Sequence, residues 1–260
     1  MSASRLFHFH GGVALEGHKA MATSRPIQLA PIPPRLILPL NQHVGAPAEA
    51  LVAAGDRVLR GQPVARPTGY VGAGVHASSS GRVVAVTDHA VPHPSGLSAP
   101  CVIIETDGED RPWDGYDPLS NSRTLNGPAL RARVREAGVV GLGGAAFPTA
   151  VKLSAGSGIK ALILNGAECE PYICCDDMLL RERAVEVVAG AQALLHALEI
   201  QRCVIAIEDD MPEALTALRA ALEREADDRL TVVTVPSRYP EGGEKQLIQV
   251  LTGEEVPARG

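Results

Sequence analysis

The residues best suited to chemistry lie in a glycine-rich stretch between positions 141 and 152. Gly141, Gly143 and Gly144 leave the backbone free to adopt positive φ and to approach a ligand without Cβ contacts. Pro148 suits the first turn of a helix, because its φ is fixed near the helical value and it needs no N–H partner. Free N–H groups at such a turn attract anions, and Lys152 adds a cation one helical turn later. The stretch therefore indicates a cradle for a phosphorylated cofactor, with an ordinary glycine-rich turn as the alternative.

Motifs alone leave the identity of the cofactor open. Residues 141–146 match G-x-G-x-x-G/A, the dinucleotide fingerprint. That fingerprint requires an acidic residue at the end of the next strand, whereas the strand expected at 161–164 runs into Asn165. The first acids come later, at Glu168 and Glu170, in a loop of their own. A P-loop fits less well, because no Gly-Lys-Ser/Thr follows the glycines.

Two further segments carry side chains that can bind a ligand. Asn165 offers both a donor and an acceptor. Glu168 and Glu170 lie two residues apart, so in an extended loop they project to the same side. Glu244 and Lys245 follow a pair of glycines and form a second charged motif. The alternatives are a solvated acidic loop for the first segment and a plain helix N-terminus for the second.

Alternating strands and helices are predicted to position these segments. Continuous apolar strands at 161–164, 204–207 and 231–235 alternate with helices of 3.6-residue periodicity at 177–199 and 212–226. This pattern predicts a parallel sheet covered on both faces. Ligands gather at the carboxyl ends of such strands, so we expect both charged segments and the glycine cradle at one rim.

Polar residues that can cap helices precede the helical segments. Asp176 or Asp177 can cap the first of the two helices named above, and Asp210 the second. A further helix is expected to begin at Asn126 and to end at Gly138, just before the glycine cradle.

Residues 32–107 are predicted to form an all-β domain, because short apolar runs alternate with Gly, Pro and Asp. From Gly55 to Gln62 the sequence reads Gly-Asp-x-Val-x-x-Gly-Gln, which resembles the lipoyl-like barrel-sandwich fold. Carrier domains of that fold present a lysine for biotin or lipoate. No lysine occurs between Lys19 and Lys152, so we interpret this domain as a scaffold.

The expected fold class is α/β, with an N-terminal all-β barrel-sandwich domain followed by an α/β domain with a largely parallel sheet. We place an N-terminal arm at 1–31, the barrel-sandwich domain at 32–107, a linker at 108–127 and the α/β domain at 128–260. The arm contains His-x-His at its start, which can ligate a metal. No carboxylate or thiol follows at ligand spacing, so an ordered arm lying over a neighbouring domain is preferred.

Composition excludes several classes of protein. The net charge is −6 with acids and bases intermixed, and aromatic residues make up 3%, which argues against a nucleic-acid binder. No apolar run approaches the ~20 residues that span a bilayer, so we expect no transmembrane segment within the chain. The five cysteines include no C-x-x-C, which disfavours a zinc ribbon or a cluster-ligand run. Cys169, Cys174 and Cys175 lie close enough to consider a metal site, but reduced thiols are preferred.

Several segments together resemble the RnfC family, a subunit of the Rnf (Rsx) electron-transport complex, in its N-terminal and flavin-binding part. They are residues 141–152, 165–172 and 239–246, and upstream residues 39–47 and 76–81. The first three are similar, more distantly, to the NADH- and FMN-binding subunit of respiratory complex I. That protein lacks the N-terminal part, so the RnfC family is the better match.

The resemblance implies FMN and NADH or NAD as cofactors, with the chemistry carried by the flavin, no catalytic side chain and no metal ligand. The residues it implies for cofactor binding are Gly141, Gly143, Gly144, Ala145, Phe147, Lys152, Asn165, Glu168, Glu170, Glu244 and Lys245. Lys152 suits the FMN phosphate, and Phe147 can wall the flavin, stack on a nicotinamide or simply pack in a core. Glu168 and Glu170 are expected to bind nucleotide hydroxyls and amide and to tune the flavin. Hydride transfer itself needs no acid/base pair.

The resemblance also implies partners and a location. RnfC proteins lie peripherally on the cytoplasmic side of the inner membrane, with the other subunits of the Rnf complex. There they exchange electrons between NAD(H) and a ferredoxin-linked chain coupled to ion transport. This chain ends at Gly260, where RnfC proteins extend into a part with two cysteine runs for [4Fe–4S] clusters. We therefore expect a fragment or a truncated relative that cannot complete the electron route.

Two other functions stay open. A non-catalytic scaffold with a degenerate flavin fold would dock a complex without chemistry of its own. A stand-alone NAD-dependent dehydrogenase fits less well, because the expected ribose-binding acid is misplaced. Bound flavin in the purified chain would favour the electron-transfer function, and a colourless protein that still binds its partners would favour the scaffold.

Overall fold

The structure, a computed structural model, describes residues 6–115, 124–142, 144–154 and 158–257. Contacts divide the chain into two units, Ala30–Ser157 and Met1–Leu29 with Gly158–Gly260. We call the first the β unit and the second the α/β unit. The domain boundaries drawn from the sequence, with a division at residue 128, stay a prediction.

Two antiparallel sheets form the β unit. The strands are β1 (Arg35–Pro39), β2 (Glu49–Ala50), β3 (Arg57–Val58), β4 (Pro63–Arg66), β5 (Val75–His76), β6 (Gly81–Ala90) and β7 (Ser98–Thr106). One sheet has the order β1-β7-β6-β3 and the other the order β2-β4-β5. Val64 of the smaller sheet and Val83 and Ile104 of the larger one belong to a single buried core. The predicted barrel-sandwich domain is thereby confirmed.

Two helices complete the β unit. Helix α1 (Gly127–Glu136) begins after Asn126, whose side-chain oxygen accepts a hydrogen bond of 2.9 Å from the Ala129 amide. This is the predicted start, because an asparagine oxygen satisfies a free N–H of the first turn. The helix ends before Gly138, which has φ +66° and lies against the Gly74 carbonyl, where a side chain would clash. Helix α2 (Thr149–Lys152) is a single turn.

A parallel three-stranded sheet with three helices forms most of the α/β unit. The elements are β8 (Leu162–Gly166), α3 (Cys175–Leu198), β9 (Cys203–Glu208), α4 (Pro212–Glu225), β10 (Leu230–Val235) and α5 (Glu244–Thr252). The strand order is β10-β9-β8, and both pairs are parallel. The predicted largely parallel sheet is confirmed, and each predicted strand is found within two residues of its expected bounds.

Both faces of this sheet are covered, as continuous apolar strands predict. Along the central strand, Ile205 and Ile207 belong to one buried cluster with side chains of α3 and α4. Ala206, which points the other way, belongs to a second cluster with Leu247 and Val250 of α5. Every residue of β9 is buried.

The predicted helix caps of this unit are wrong. Helix α3 begins after Cys174 and α4 after Met211, and neither N-terminus has a side-chain cap in the predicted manner. Asp176 and Asp177 lie inside α3, and their own backbone amides donate to the Glu168 carboxylate of the preceding loop. Asp210 is drawn instead to the Lys19 ammonium, at 3.3 Å.

Residues 6–29 pack against the rest of the α/β unit, and the arm drawn from the sequence at 1–31 stays a prediction. Leu6 and Phe9 pack against the cluster around α5. The Phe7 amide donates a 2.9 Å hydrogen bond to the Val250 carbonyl. A single 3-10 turn follows at Lys19–Met21. None of the helices that the structure describes is long and apolar enough to cross a membrane.

Candidate functional site

The glycine-rich stretch folds as a closed loop of the β unit. The Gly141 amide donates to the Phe147 carbonyl at 2.9 Å, and Val140 forms an antiparallel bridge with Pro148. Gly144 has φ +85° and no atom within 4 Å of the position that a Cβ would take. The described part of this loop therefore has one glycine, Gly144, that its conformation requires and that leaves open space for a ligand.

Gly141 differs from Gly144. Gly141 has no positive φ, and a Cβ there would make only an ordinary contact of 3.7 Å, so its conformation does not require glycine. Gly143 lies outside the described residues. Ala146 has φ +45°, an uncommon conformation for a residue with a side chain, which no sequence signal indicates.

The helix after this loop is weaker than the sequence predicts. Pro148 precedes α2 as its N-cap residue instead of lying in its first turn. Lys152 is the last residue of this one-turn helix, and its Nζ lies 5.9 Å from the centre of the half-buried Phe147 ring. A single turn has little dipole. The exposed Lys152 ammonium is therefore the stronger attraction for an anion here.

Glu168 is buried in the α/β unit and caps helix α3. Its side chain is 4% exposed. One carboxylate oxygen accepts from the Asp176 amide at 2.7 Å and from the Cys175 thiol at 3.2 Å, and the other accepts from the Asp177 amide at 3.1 Å. A carboxylate at this end of a helix binds free N–H groups and opposes the positive end of the helix dipole.

Glu170, in contrast, is exposed. The expectation that Glu168 and Glu170 project to the same side is therefore wrong. Glu168 turns inward to the first amides of α3, and the chain bends only after Glu170, where Tyr172 has φ +71° and the Ile173 amide donates to the Glu170 carbonyl. Of the two carboxylates, Glu170 is the one whose oxygens remain available to a ligand.

Cys169 and Cys175, the two thiols that contact Gly242 and Glu168, favour their protonated forms. Burial raises the pKa of Cys175 to about 11, with the neighbouring Glu168 adding to the shift. Burial likewise raises the pKa of Cys169 to about 12, and its sulfur accepts a 3.0 Å hydrogen bond from the Gly242 amide. The preference for reduced thiols over a metal site at Cys169, Cys174 and Cys175 stays a prediction.

Asn165 joins the acidic loop to the loop that precedes α5. Its side-chain amide donates to the Gly242 carbonyl at 2.8 Å, and its oxygen accepts from the Ala167 amide at 3.1 Å. A Cβ on Gly242 would lie 3.0 Å from the Ala167 carbonyl oxygen. Gly242 thus permits the close approach of another protein loop. The two charged segments lie side by side, as predicted, and their meeting with the glycine cradle at one rim stays a prediction.

Glu244 and Lys245 are the first two residues of α5, and both are exposed. Gly243 precedes them as the N-cap residue without a side-chain cap. The helix amides at this end are thus open to an acceptor, with an acid and a base beside them.

A buried charged cluster at the carboxyl end of β9 is absent from the sequence predictions. The Lys19 ammonium lies 3.5 Å from Glu208 and 3.2 Å from Asp210. Glu208 is 0% and Glu241 is 2% exposed. Each has an Oε1 with no hydrogen-bond partner among the described residues. The acids after β9 are visible in the sequence, but nothing local indicates Lys19 as their partner.

Burial makes Glu208 and Glu241 hard to ionise. It raises the pKa of Glu208, although Cys169 and Lys19 oppose the shift. Burial also raises the pKa of Glu241, and the Glu208 charge adds to it. The pKa of Lys19 is raised as well, since Asp210 and Glu208 together outweigh a burial effect that alone would lower it. The cluster therefore favours a charged lysine beside carboxyls that gain protons readily.

The described loop of the β unit fits part of an FMN molecule. Gly144 has the open space that close backbone approach needs, and the neighbouring Leu142 and Ala145 are exposed apolar residues that suit a flat ring. The exposed Lys152 suits a phosphate. In the α/β unit, the exposed Glu170 and Glu244 suit the hydroxyls and amide of a nucleotide.

Two family models match this chain. The model described as "RnfC Barrel sandwich hybrid domain" matches residues 7–109, and "Nuo51 FMN-binding domain" matches residues 134–260. The RnfC-type subunit of the ion-translocating oxidoreductase complex of Pseudomonas aeruginosa is 49% identical over 259 residues, 99% of this chain. The chain belongs to the RnfC family. All residues implied for cofactor binding fall in the second matched segment.

Other RnfC-type relatives also match nearly the whole of this chain, which spans only part of their length. The RnfC-type proteins of Pectobacterium carotovorum and of Yersinia pestis are each 46% identical over 254 residues, 97% of this chain. The chain spans 33%, 34% and 40% of the three relatives in the order named. A chain in a structure of the NAD+-reducing [NiFe]-hydrogenase in the H2-reduced state is 26% identical, with a TM-score of 0.47. That match covers 55% of this chain and 28% of the hydrogenase chain.

Proposed function

We propose that this RnfC chain binds FMN and exchanges electrons between NAD(H) and the flavin. The observation that carries the proposal is the loop around Gly144, open at that residue and followed by the exposed Lys152. The loop lies in the segment that matches an FMN-binding domain. When bound, FMN supplies an acceptor for the hydride of a nicotinamide, so the protein has only to bind and orient the two partners.

In the β unit, the glycine-rich loop allows the flavin ring to come close to the backbone, and Lys152 supplies positive charge for the phosphate. Gly144 leaves the space that close approach of a flavin needs, and the roles of Gly141, Gly143 and Ala145 in flavin binding rest on the family resemblance. Phe147 supports the Lys152 stem, since the ammonium lies over its ring. Lys152 binds the phosphate.

In the α/β unit, some residues contact the nucleotide and others hold the surrounding loops in place. Glu170, Glu244 and Lys245 are exposed and contact the nucleotide. Glu168 acts through helix α3, because both of its oxygens accept hydrogen bonds within the protein. Asn165 holds the two loops together through its bonds to Gly242 and Ala167, and it orients the exposed residues beside it.

The role that we infer within a larger complex is based on the names of the similar proteins. Proteins that match over nearly the whole chain are named as subunits of an ion-translocating oxidoreductase complex. We infer that the chain docks with other subunits of such a complex, peripherally and on the cytoplasmic side of the membrane. Electrons then pass to a ferredoxin-linked chain through [4Fe–4S] clusters held by a region beyond residue 260.

One observation favours a non-catalytic scaffold as the second candidate. The side chains of Asn165 and Glu168, two of the residues that the resemblance assigns to the cofactor, are bonded within the protein. In a flavin fold that has lost its ligand, the polar side chains of the former site would form hydrogen bonds within the protein in this way. The exposed Glu170 and the open Gly144 loop favour the electron-transfer function instead.

Anaerobic spectroscopy of the purified chain separates the two functions. The chain is titrated with FMN, and the loaded protein is then mixed with NADH in a stopped-flow instrument. We expect bleaching of the flavin band, followed by reduction of a diffusible dye but not of ferredoxin at a useful rate, because no described cysteine group is spaced for a cluster. Photochemical reduction of the same flavin is the control, since light bypasses the nucleotide site. FMN binding without bleaching by NADH would leave only a flavin-binding scaffold, and no FMN binding would refute the proposal.

A further inference from the structure

The N-terminal arm contacts each of the three loops that leave the carboxyl ends of the parallel strands. These rim loops are residues 167–174 after β8, 209–211 after β9 and 236–243 after β10. Val13 and Tyr239 exchange two backbone hydrogen bonds of 2.8 and 2.9 Å. The Gly17 carbonyl accepts a 2.6 Å bond from the Tyr172 amide, and the Lys19 ammonium lies 3.2 Å from Asp210. The arm therefore lies along the edge where a parallel sheet binds its ligands.

Lys19 is the cation on which the end of β9 depends. Its side chain is 9% exposed, and it lies 3.5 Å from the fully buried Glu208. The second oxygen of Glu208 has no partner among the described residues. Removing the ammonium would leave Glu208 buried without a cation, beside the Ser237 hydroxyl at 3.5 Å, and this destabilises the charged carboxylate and favours its protonated form. The Lys19 ammonium thus joins the end of β9 to the arm, in addition to the backbone bonds of Val13 and Gly17.

The residue before Lys19 fixes the acidic loop. The His18 ring stacks on the Tyr172 ring, with centroids 4.9 Å apart and planes 19° apart. Both residues adopt positive φ, 53° for His18 and 71° for Tyr172, which non-glycine residues rarely do. Such conformations persist where surrounding contacts impose them. Glu170 lies two residues before Tyr172, so the arm also determines where that exposed carboxylate projects.

We propose that Lys19, with the arm segment 13–19, is a positioning element of the nucleotide site. It holds the three rim loops in one arrangement and so fixes the direction of Glu170 toward NADH. This inference rests on the proposed electron-transfer function. It predicts that loss of Lys19 weakens NADH binding while the flavin itself stays competent.

The test compares Lys19→Met with two further variants of the chain. Lys19→Arg keeps the charge. The double variant Lys19→Met with Glu208→Gln removes the unpaired buried charge, so it should regain most of the thermal stability that Lys19→Met loses. Lys160→Met is the matched control, because Lys160 is an exposed lysine paired with Glu254 on the same unit.

We expect the double variant to keep a half-saturating NADH concentration raised about tenfold, with photochemical reduction of its flavin at the parent rate. Lys19→Arg should restore NADH binding to within about threefold, and Lys160→Met should match the parent. A double variant with both parent stability and parent NADH saturation would overturn the proposal, because Lys19 would then only neutralise Glu208.

Hydrogen exchange gives a readout that does not depend on flavin. In the chain without cofactor, Lys19→Met and the double variant should exchange the Tyr172 amide at least about tenfold faster, with exchange in the β unit unchanged. Parent-like exchange across 167–174 and 236–243 would also overturn the proposal. If the parent chain is not reduced by NADH, the proposed function fails, and the exchange pattern still decides whether the arm holds the loops.

Discussion

Replacing Glu168 by alanine removes the carboxylate that caps helix α3. Two backbone N–H donors, those of Asp176 and Asp177, lose acceptors at 2.7 and 3.1 Å. Because Glu168 is 4% exposed and Asp177 1%, water does not readily replace the lost acceptor. Loss of a helix cap costs about 1 kcal/mol, and a hydrogen bond to a charged group contributes about 1.5–3 kcal/mol.

We therefore expect Glu168→Ala to lower the free energy of unfolding by about 3 kcal/mol, which corresponds to a fall in Tm of roughly 10 °C. Glu168→Gln retains one oxygen acceptor and should lose about half as much. Differential scanning calorimetry measures both. In FMN-loaded Glu168→Ala, NADH should bleach the flavin more slowly than in the parent, because the acidic loop is less well held and not because a direct contact with NADH is lost.

Glu170→Ala is the matched control, two residues away on the same loop. Its side chain is exposed, so its removal should change the free energy of unfolding by no more than about 0.5 kcal/mol. The same variant should weaken NADH binding, because Glu170 is the carboxylate available to the nucleotide. Parent stability in Glu168→Ala, together with a loss of NADH binding, would refute this reasoning and assign Glu168 a direct contact.

Three further predictions concern the loop and the buried acids. Gly144→Val should abolish FMN binding in a fluorescence titration with the fold retained, whereas Gly158→Val, at another positive-φ glycine with open space, should leave binding unchanged. Lys152→Met should weaken FMN about tenfold and riboflavin hardly at all, because only FMN has a phosphate; equal losses for both would show another role. Glu208 and Glu241 have folded-state pKa values above their ordinary 4.5, so their contribution to stability is complete below that pH and is lost as pH rises through the folded pKa. Tm should thus rise as the pH is lowered from neutral toward 4.5, and changing both residues to glutamine should remove most of that rise.

The sheet and its helices could be predicted because their signals are local. Four apolar residues at 204–207 indicated a buried strand, and β9 extends one residue further at each end. Helix α1 was predicted from Asn126 because an N-cap acts on amides two or three residues away. Such signals lie within one element, so a single sequence contains them in full.

The arrangement of the candidate site could be predicted only in part. The pairing of the acidic loop with the loop at 240–243 followed from strand order, since carboxyl ends of parallel strands share an edge. The side on which Glu168 lies did not follow, because its carboxylate is held by the first amides of α3, a contact that exists only in the folded chain. Nor did the pairing of Lys19 with Glu208, which are 189 positions apart and meet only in the folded chain.

The internal bonds of the rim loops explain which residues remain for the ligand. Asn165 and Glu168 direct their hydrogen bonds to neighbouring loops and to α3, and Lys19 neutralises the end of β9. Loops held in this way lose little further freedom when a nucleotide binds, and that raises affinity without any added contact. Exposed charges such as Glu170 and Glu244 can then be directed at the ligand. The buried residues thereby have a measurable effect on NADH binding although they do not touch the nucleotide, which is why substitutions of buried and exposed acids must be compared in one assay.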